Sequence, residues 1–205
     1  MNRSLPLAGL VAGVLVAGAA QAGFITQDTQ APSRTTLSVP AGNDFTSQLA
    51  ASGATGFFTS ASLALERAGT VTAQYYGKEA ELQNRFLWAG TQLFQTSTNR
   101  VDPWTAAGPT ATRTAGAGVL DFSFCSVSPA RCLTNAQNDA AGSAATTNIG
   151  LFVTPDRNTA WLLWDDGSGG NDDNDYDDMV VRLQSAAAAV PEPATLALLG
   201  LGLLG

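Results

Sequence analysis

Residues 150–164 read GLFVT-PDRNT-AWLLW, and this stretch decides the fold class. Two apolar runs, residues 150–154 and 160–164, flank a segment that contains Pro, Asp and Asn. Pro restricts φ, and Asp and Asn side chains hydrogen-bond to nearby backbone groups, so the middle segment favours a turn. Apolar runs on both sides of such a turn predict a β-hairpin. Residues 179–183 (MVVRL) predict a further strand.

Similar short runs, separated by Gly, Pro, Asn and Ser clusters, occur along the rest of the chain. The expected strands are residues 34–39, 57–67, 70–76, 80–88 and 119–124. We expect residues 57–67 to pair with residues 70–76, whereas residues 79–85 taken alone would also tolerate a helix. Residues 99–118 and 135–148 predict surface loops. This spacing is typical of an all-β fold, a single antiparallel, jelly-roll-like β-sandwich over residues 23–185.

The composition excludes several functions. The chain has 205 residues, no His and a formal net charge of −7. Without His, it can form neither a Ser-His-Asp triad nor a Cys-His dyad nor a His-ligated zinc site. An acidic chain also lacks the positive surface that binds phosphate backbones, so nucleic acid is excluded as a partner.

The negative charge is concentrated in residues 161–183 (WLLWDDGSGGNDDNDYDDMVVRL), which hold seven Asp and one Arg. So many carboxylates repel one another unless a cation lies among them. Calcium is the expected cation, because it binds about six to eight oxygen ligands in a flexible geometry. The predicted calcium ligands are Asp165, Asp166, Asp173, Asp175, Asp177 and Asp178.

The spacing of these residues does not fit an EF-hand. A loop that begins at Asp173 has Asp178 where Gly is required and Gln184 where a bidentate Glu is required. We therefore expect a calcium loop between two strands, in which residues 167–170 reverse the chain. If the Tyr176 ring packs against the neighbouring sheet edge, the flanking Asp side chains are directed to the opposite side, toward the ion. A solvated acidic turn without an ion remains the alternative.

Two other functions are considered as alternatives. Paired carboxylates can hydrolyse glycosidic bonds at defined separations, but no separation follows from the sequence, and we predict that the chain is not an enzyme.

Aromatic side chains could instead stack on sugars in a carbohydrate-binding module. The candidates are Trp88, Trp104, Trp161, Trp164, Tyr75 and Tyr76. Core packing is favoured for those within expected strands, whereas Trp104 lies in an expected loop and is the best candidate for exposure.

Cys125 and Cys132 lie close together in the sequence, with Pro129 between them. In an oxidising compartment such a pair predicts a disulfide, with two free thiols as the alternative.

The first 22 residues have the features of an export signal. Arg3 precedes an apolar run, and Ala20-Gln21-Ala22 matches the A-x-A pattern of a signal-peptide cleavage site. This pattern predicts a secretory signal peptide over residues 1–22, so the mature chain would begin at Gly23.

Residues 186–205 consist of an Ala-rich linker, the triplet Pro191, Glu192 and Pro193, and a Leu- and Gly-rich run. The sequence VPEPATLALLGLGLLG resembles the PEP-CTERM sorting signal of exported proteins in Gram-negative bacteria, also labelled the ice-binding protein C-terminal domain. The resemblance implies membrane contact through this segment only, and processing by the membrane peptidase exosortase. As a helix, residues 194–205 would measure about 18 Å against a hydrocarbon core of about 30 Å. The family's transmembrane length and Arg-rich tail are missing, so we expect either a truncated chain or defective sorting.

Two internal segments show further resemblances. Residues 75–90 (YYGKEAELQNRFLWAG) resemble a YxGKEAGxxNxF-type segment of exported PEP-CTERM proteins, with Glu81 and Leu82 where that segment has Gly and an aromatic residue. Residues 161–183 resemble the acidic end of an uncharacterised exported β domain. The resemblances imply a surface or matrix protein associated with exopolysaccharide and biofilm. The leading hypothesis is a non-catalytic, calcium-binding protein of this kind, and the alternative is a carbohydrate-binding module.

Overall fold

Antiparallel strands dominate the computed structural model, which describes residues 22–27, 35–40, 42–141, 147–167 and 174–187. The strands are β1 Phe24–Gln27, β2 Thr35–Leu37, β3 Phe57–Thr59, β4 Ser62–Leu65, β5 Gly69–Glu79, β6 Asn84–Trp88, β7 Thr91–Gln95, β8 Val101–Asp102, β9 Thr110–Ala115, β10 Gly118–Val119, β11 Phe122–Ser126, β12 Arg131–Thr134, β13 Asn148–Val153, β14 Thr159–Asp165 and β15 Met179–Ala187. The helices are α1 Thr46–Ala51 and α2 Asn135–Ala141. Of the predicted signal peptide, only Ala22 lies within the described residues, so the signal peptide stays a prediction.

The predicted hairpin is confirmed and lies in the middle of the largest sheet. That sheet has the order β2-β3-β13-β14-β15-β5, and the far edge of β5 pairs with β8 and β9. The β13–β14 turn is closed by a hydrogen bond from Thr154 N to Thr159 O (2.9 Å). Inside the turn, Asp156 Oδ1 accepts hydrogen bonds from Thr154 Oγ1 (2.6 Å) and Asn158 N (3.1 Å). The turn residues therefore act as the sequence predicts.

Two smaller sheets cover one face of the large sheet. Their orders are β12-β11-β6-β7 and β1-β4-β10. The main core lies between these layers and contains Leu162, Trp164 and Val181 of the large sheet against Phe86 and Phe124. The predicted antiparallel β-sandwich is thereby confirmed.

A second core covers the opposite face of the large sheet. Phe45 and Leu49, in and beside α1, pack there against Trp161, Leu163 and Val180. Because both faces of β14 are covered, residues 160–165 are all buried and the strand reads as a continuous apolar run. The main and second cores together cover both faces of β14.

The strand prediction for residues 57–67 is wrong in one respect. The backbone enters the left-handed region at Ser60 (φ 56°), and this breaks the run into β3 and β4. Strand β3 joins the large sheet, whereas β4 joins a small one. Residues 70–76 do form a strand, but β5 pairs with β15, β8 and β9 and not with residues 57–67. Residues 80–83 are not in a strand, which begins only at Asn84.

Both loop predictions also need correction. Residues 99–118 contain β8 and β9, and β9 is a sheet edge in which exposed Thr alternates with partly buried residues. Residues 135–148 contain α2, which is held by side-chain contacts. Asn135 Nδ2 donates to Leu63 O and Leu120 O (both 2.8 Å), and Asn138 Nδ2 donates to Ala61 O (2.7 Å). These contacts join segments far apart in sequence, so local composition did not indicate them.

The predicted disulfide is confirmed. Cys125 and Cys132 lie directly opposite each other in the β11–β12 pair and are bonded.

Removal of this bond should destabilise the fold. Closing a loop of this length is worth about 2.5 kcal/mol in the chain-entropy model, so Cys125→Ser with Cys132→Ser should lower the free energy of unfolding by about that amount. Urea denaturation of the wild type and the double variant measures the difference. Intact mass after alkylation, with and without reductant, is the control. Alkylation of both thiols in unreduced protein would contradict the bond.

Candidate acidic cation site

The acidic segment occupies one end of the large sheet. Antiparallel pairing places Trp164 opposite Met179, so the chain leaves β14 beside the point where it enters β15. The structure describes five of the six predicted ligands. Asp165, Asp166, Asp175 and Asp177 are buried, and Asp178 is partly buried. The sixth, Asp173, lies outside the described residues, as do Gly169 and Gly170.

Two turns of the backbone shape this end of the sheet. Gly167 (φ 58°) takes the chain out of β14, and its carbonyl accepts a hydrogen bond from Arg131 Nη1 (2.9 Å) on the disulfide-linked hairpin. Tyr176 (φ 66°) also adopts the left-handed region, and its ring packs against Phe57 at 4.7 Å between ring centroids.

The first acidic group consists of Asp166 and Asp178, joined by Asn84 at the start of β6. Asp166 N donates to Asp178 Oδ2 (2.8 Å). Asn84 Nδ2 donates to Asp166 Oδ2 (2.8 Å) and to Asp178 O (3.2 Å). Trp164 Nε1 in turn donates to Asn84 Oδ1 (3.2 Å). Asn84 therefore connects both ends of the acidic segment with the main core.

Lys78 brings a positive charge to this first group. Its side chain is fully buried, and Nζ donates to Ala80 O and Leu82 O (both 3.1 Å). Burial lowers the pKa of Lys78, and the charges of Asp102, Asp166 and Asp178 partly oppose that shift. Lys78 and Asn84 were not among the predicted site residues. Both lie in residues 75–90, a segment named from the sequence only because it resembles other exported proteins, and this resemblance was the one sequence feature that pointed to them.

Glycine at position 77 allows the same segment to pack closely. A Cβ atom there would lie 2.4 Å from Trp104 Cε3, and the φ of 151° is one that other residues rarely adopt. Trp104 consequently lies partly buried against Phe45, with 5.4 Å between ring centroids. Trp104 is partly exposed, as are Tyr75 and Tyr76, so its expected exposure is confirmed in part. Trp88, Trp161 and Trp164 are buried in the cores, as favoured from the sequence.

The second acidic group consists of Asp175 and Asp177, and it meets residues 42–44. Asp44 N donates to Asp177 Oδ2 (2.6 Å), and Asn43 Nδ2 donates to Asp175 O (2.8 Å). Asp177 N donates to Asp175 Oδ1 (3.3 Å), and the two carboxyl groups lie close enough to share a proton. The contact of residues 42–44 with this group was not predicted from the sequence.

Burial makes a negative charge costly in both groups. Burial raises the pKa of Asp177 to about 8, and the neighbouring Asp175 and Glu79 carboxylates add to the shift. Burial also raises the pKa of Asp178 to about 9, with Asp166, Asp165 and Asp175 as the acidic neighbours. Both carboxyl groups thus hold a proton at neutral pH unless a cation stabilises the charged form.

The described carboxyl groups do not by themselves form a complete metal site. Within the described residues, no three or more Asp, Glu, Cys or His side chains converge closely enough to hold an ion. A cation at this end of the sheet would therefore also need amide or backbone carbonyl oxygens.

Comparison with known proteins identifies the C-terminal segment. A family model described as the PEP-CTERM protein-sorting motif matches residues 189–205. The chain carries a PEP-CTERM sorting signal. This signal indicates an exported protein of the cell envelope or exterior that is processed by an exosortase. No curated protein and no solved structure matched the chain.

The sorting residues Pro191, Glu192 and Pro193 lie outside the described residues, as does most of the predicted linker and tail. In the described ranges, neither helix has the length and apolar character needed to cross a membrane.

The raised carboxyl pKa values predict a pH-dependent stability in chelator. Unfolded Asp titrates near 3.8, so between about pH 4 and about pH 8 the folded chain binds more protons than the unfolded chain. The free energy of unfolding should therefore fall as the pH rises through this window. Denaturation curves from about pH 5 to about pH 8 measure the slope.

Matched variants test the assignment. Asp178→Asn should reduce this slope, because Asp177 alone of the two then keeps its raised pKa, whereas Asp121→Asn, which removes an exposed acidic side chain beside β11, should leave it unchanged. A free energy of unfolding that is constant across the window would contradict the raised pKa values.

Proposed function

We propose that this exported chain is a non-catalytic protein of the surface or extracellular matrix of a Gram-negative bacterium, and that its acidic end binds structural calcium. Export and sorting rest on the PEP-CTERM signal. The observation that carries the calcium proposal is the pair of buried carboxyl groups of Asp175 and Asp177, which are close enough to share a proton. A cation between two such groups would offset their repulsion and allow both to be charged at neutral pH.

The balance of charge supports this proposal. Five buried or partly buried carboxyl groups lie at this end of the sheet, and Lys78 contributes one buried ammonium beside Asp166 and Asp178. A buried carboxylate without compensation is strongly unfavourable. Calcium would supply two positive charges and accept carboxylate, amide and carbonyl oxygens together. At the millimolar calcium outside cells, a dissociation constant of about 10⁻⁴ to 10⁻³ M is sufficient.

A non-catalytic role agrees with the placement of the polar groups. An open cavity of about 290 Å³ lies between β1 and the β13–β14 turn, and its lining includes Phe24, Val153 and Arg157 but no carboxyl group. The acidic residues lie at the opposite end of β14, buried within the fold. The aromatic residues considered for sugar stacking pack in the two cores, so no observation favours the carbohydrate-binding alternative. Association with exopolysaccharide and biofilm is a proposal from the sorting signal alone.

Calcium should raise the thermal stability of the purified protein. At a tenfold excess over its dissociation constant, the ion would add about 1.4 kcal/mol to the free energy of unfolding. Melting curves in calcium and in chelator should therefore differ, and Asp177→Asn should remove the difference. Asp121→Asn, with the same loss of charge at an exposed position, should retain it. Identical melting in both conditions, with no heat in a calcium titration, would contradict the calcium proposal.

The sorting signal predicts processing near residues 191–193. In a host that contains the exosortase, replacing Pro191, Glu192 and Pro193 by Ala should leave the C-terminal segment uncut. The mass of the protein recovered from envelope and medium reports the cut. A host without the exosortase is the control, in which the wild type should resemble the variant. Equal processing of both proteins in the exosortase host would be incompatible with this assignment.

A further inference from the structure

Residues 42–44 reach the second acidic group from a distant part of the chain. Asn43 and Asp175 are 132 residues apart, and Asp44 and Asp177 are 133 residues apart, yet both pairs are hydrogen-bonded. The donor atoms are Asn43 Nδ2 and the Asp44 backbone N–H, so the turn approaches with its polar groups directed at the two Asp residues.

Two buried oxygen atoms at this contact have no hydrogen-bond donor. Asn43 is 4% exposed and Asp177 is 0% exposed. Asn43 Oδ1 and Asp177 Oδ1 are buried atoms to which no described N–H or O–H group donates. Since buried oxygens are almost always paired, two unsatisfied oxygens beside crowded carboxyl groups leave room for a further partner, and a cation would satisfy both and offset the negative charge.

We propose that Asn43 is a ligand of the same divalent cation, through Oδ1, together with the carboxyl groups of Asp175 and Asp177. This inference rests on the calcium binding proposed above, and it adds a ligand from outside the acidic segment. An amide oxygen is a common calcium ligand. The neutral amide of Asn43 also adds no negative charge to a group that already contains two carboxylates.

Such a ligand would link cation binding to the second core. Asn43 immediately precedes the turn into α1, and Asn43 O accepts a hydrogen bond from Thr46 Oγ1 (2.5 Å). Phe45 and Leu49 cover the outer face of the sheet, where Phe45 packs against Trp161 with 4.9 Å between ring centroids. A cation held jointly by Asn43 and Asp177 would therefore fasten the α1 segment over the sheet. Its removal would leave Asp175 and Asp177 to share a proton, with no link through a cation to the α1 segment.

Calcium titration of matched variants tests the ligand assignment. Asn43→Ala should weaken calcium binding by about tenfold or more, a loss of about 1.4 kcal/mol. Asp44→Asn, which removes an exposed charge from the same turn and keeps the backbone N–H, should change affinity little. In the wild type, calcium should also slow hydrogen exchange of the α1 amides, and Asn43→Ala should lose this protection.

Asn43→Asp separates a ligand from a purely structural residue. Both roles predict a less stable variant in chelator, because the donor to Asp175 O is lost. If position 43 provides a ligand, the added carboxylate should bind calcium at least as tightly as Asn, and the melting difference between calcium and chelator should exceed that of the wild type. If Asn43 only donates a hydrogen bond, the Asn43→Asp variant should remain destabilised in both conditions by the same amount.

The outcomes distinguish the two proposals. Wild-type affinity and α1 protection in Asn43→Ala, or no enlarged calcium response in Asn43→Asp, would overturn the ligand role of Asn43 and leave calcium binding intact. Absence of calcium binding by the wild type itself would overturn both.

Discussion

Antiparallel pairing of β14 with β15 brings the two ends of the acidic segment side by side. With Trp164 opposite Met179, Asp165 and Asp166 leave the sheet next to the residues that enter it. The register is held from both faces, because Leu162 and Trp164 belong to the main core while Trp161 and Leu163 belong to the second. A slip of one residue would exchange these side chains between the cores. The positions of the acidic residues therefore follow from apolar packing.

The surrounding residues reduce the cost of burying so much negative charge. Asn84 donates to Asp166 and to the Asp178 backbone, the Lys78 charge attracts both carboxyl groups, and backbone N–H groups donate to Asp177 and Asp178. The two segments that resemble other exported proteins thus meet in space, and Glu79 N also donates to Asp177 O (2.9 Å). Residues 161–183 are rich in carboxyl groups, whereas residues 75–90 provide the Asn84 amide and the Lys78 ammonium that interact with them.

Local patterns predicted some elements well and others poorly. The hairpin of β13 and β14 was predictable because its turn residues and its flanking apolar runs act on near neighbours. The division of residues 57–67 into β3 and β4 was not predictable, because apolar and polar residues continue to alternate through Ser60 although the backbone turns there. Helix α2 was taken for a loop because Asn135 and Asn138 hold it to residues about 70 or more positions away. Strand β9 was missed because an exposed sheet edge carries Thr and Ala, residues that also occur in loops.

The sequence by itself determined the all-β class, the Cys125–Cys132 pair, the sorting signal and the clustering of Asp in one segment. Each of these depends on residues that are near one another along the chain. Only the tertiary structure decided which groups face the carboxylates. Asn84 and Asp166 are 82 residues apart, and Asn43 and Asp175 are 132 apart. Such contacts arise when sheets and cores assemble, and they leave no periodicity or spacing in the sequence. The same burial raises the pKa values of Asp177 and Asp178, because desolvation depends on what covers a carboxyl group and not on its neighbours in the chain.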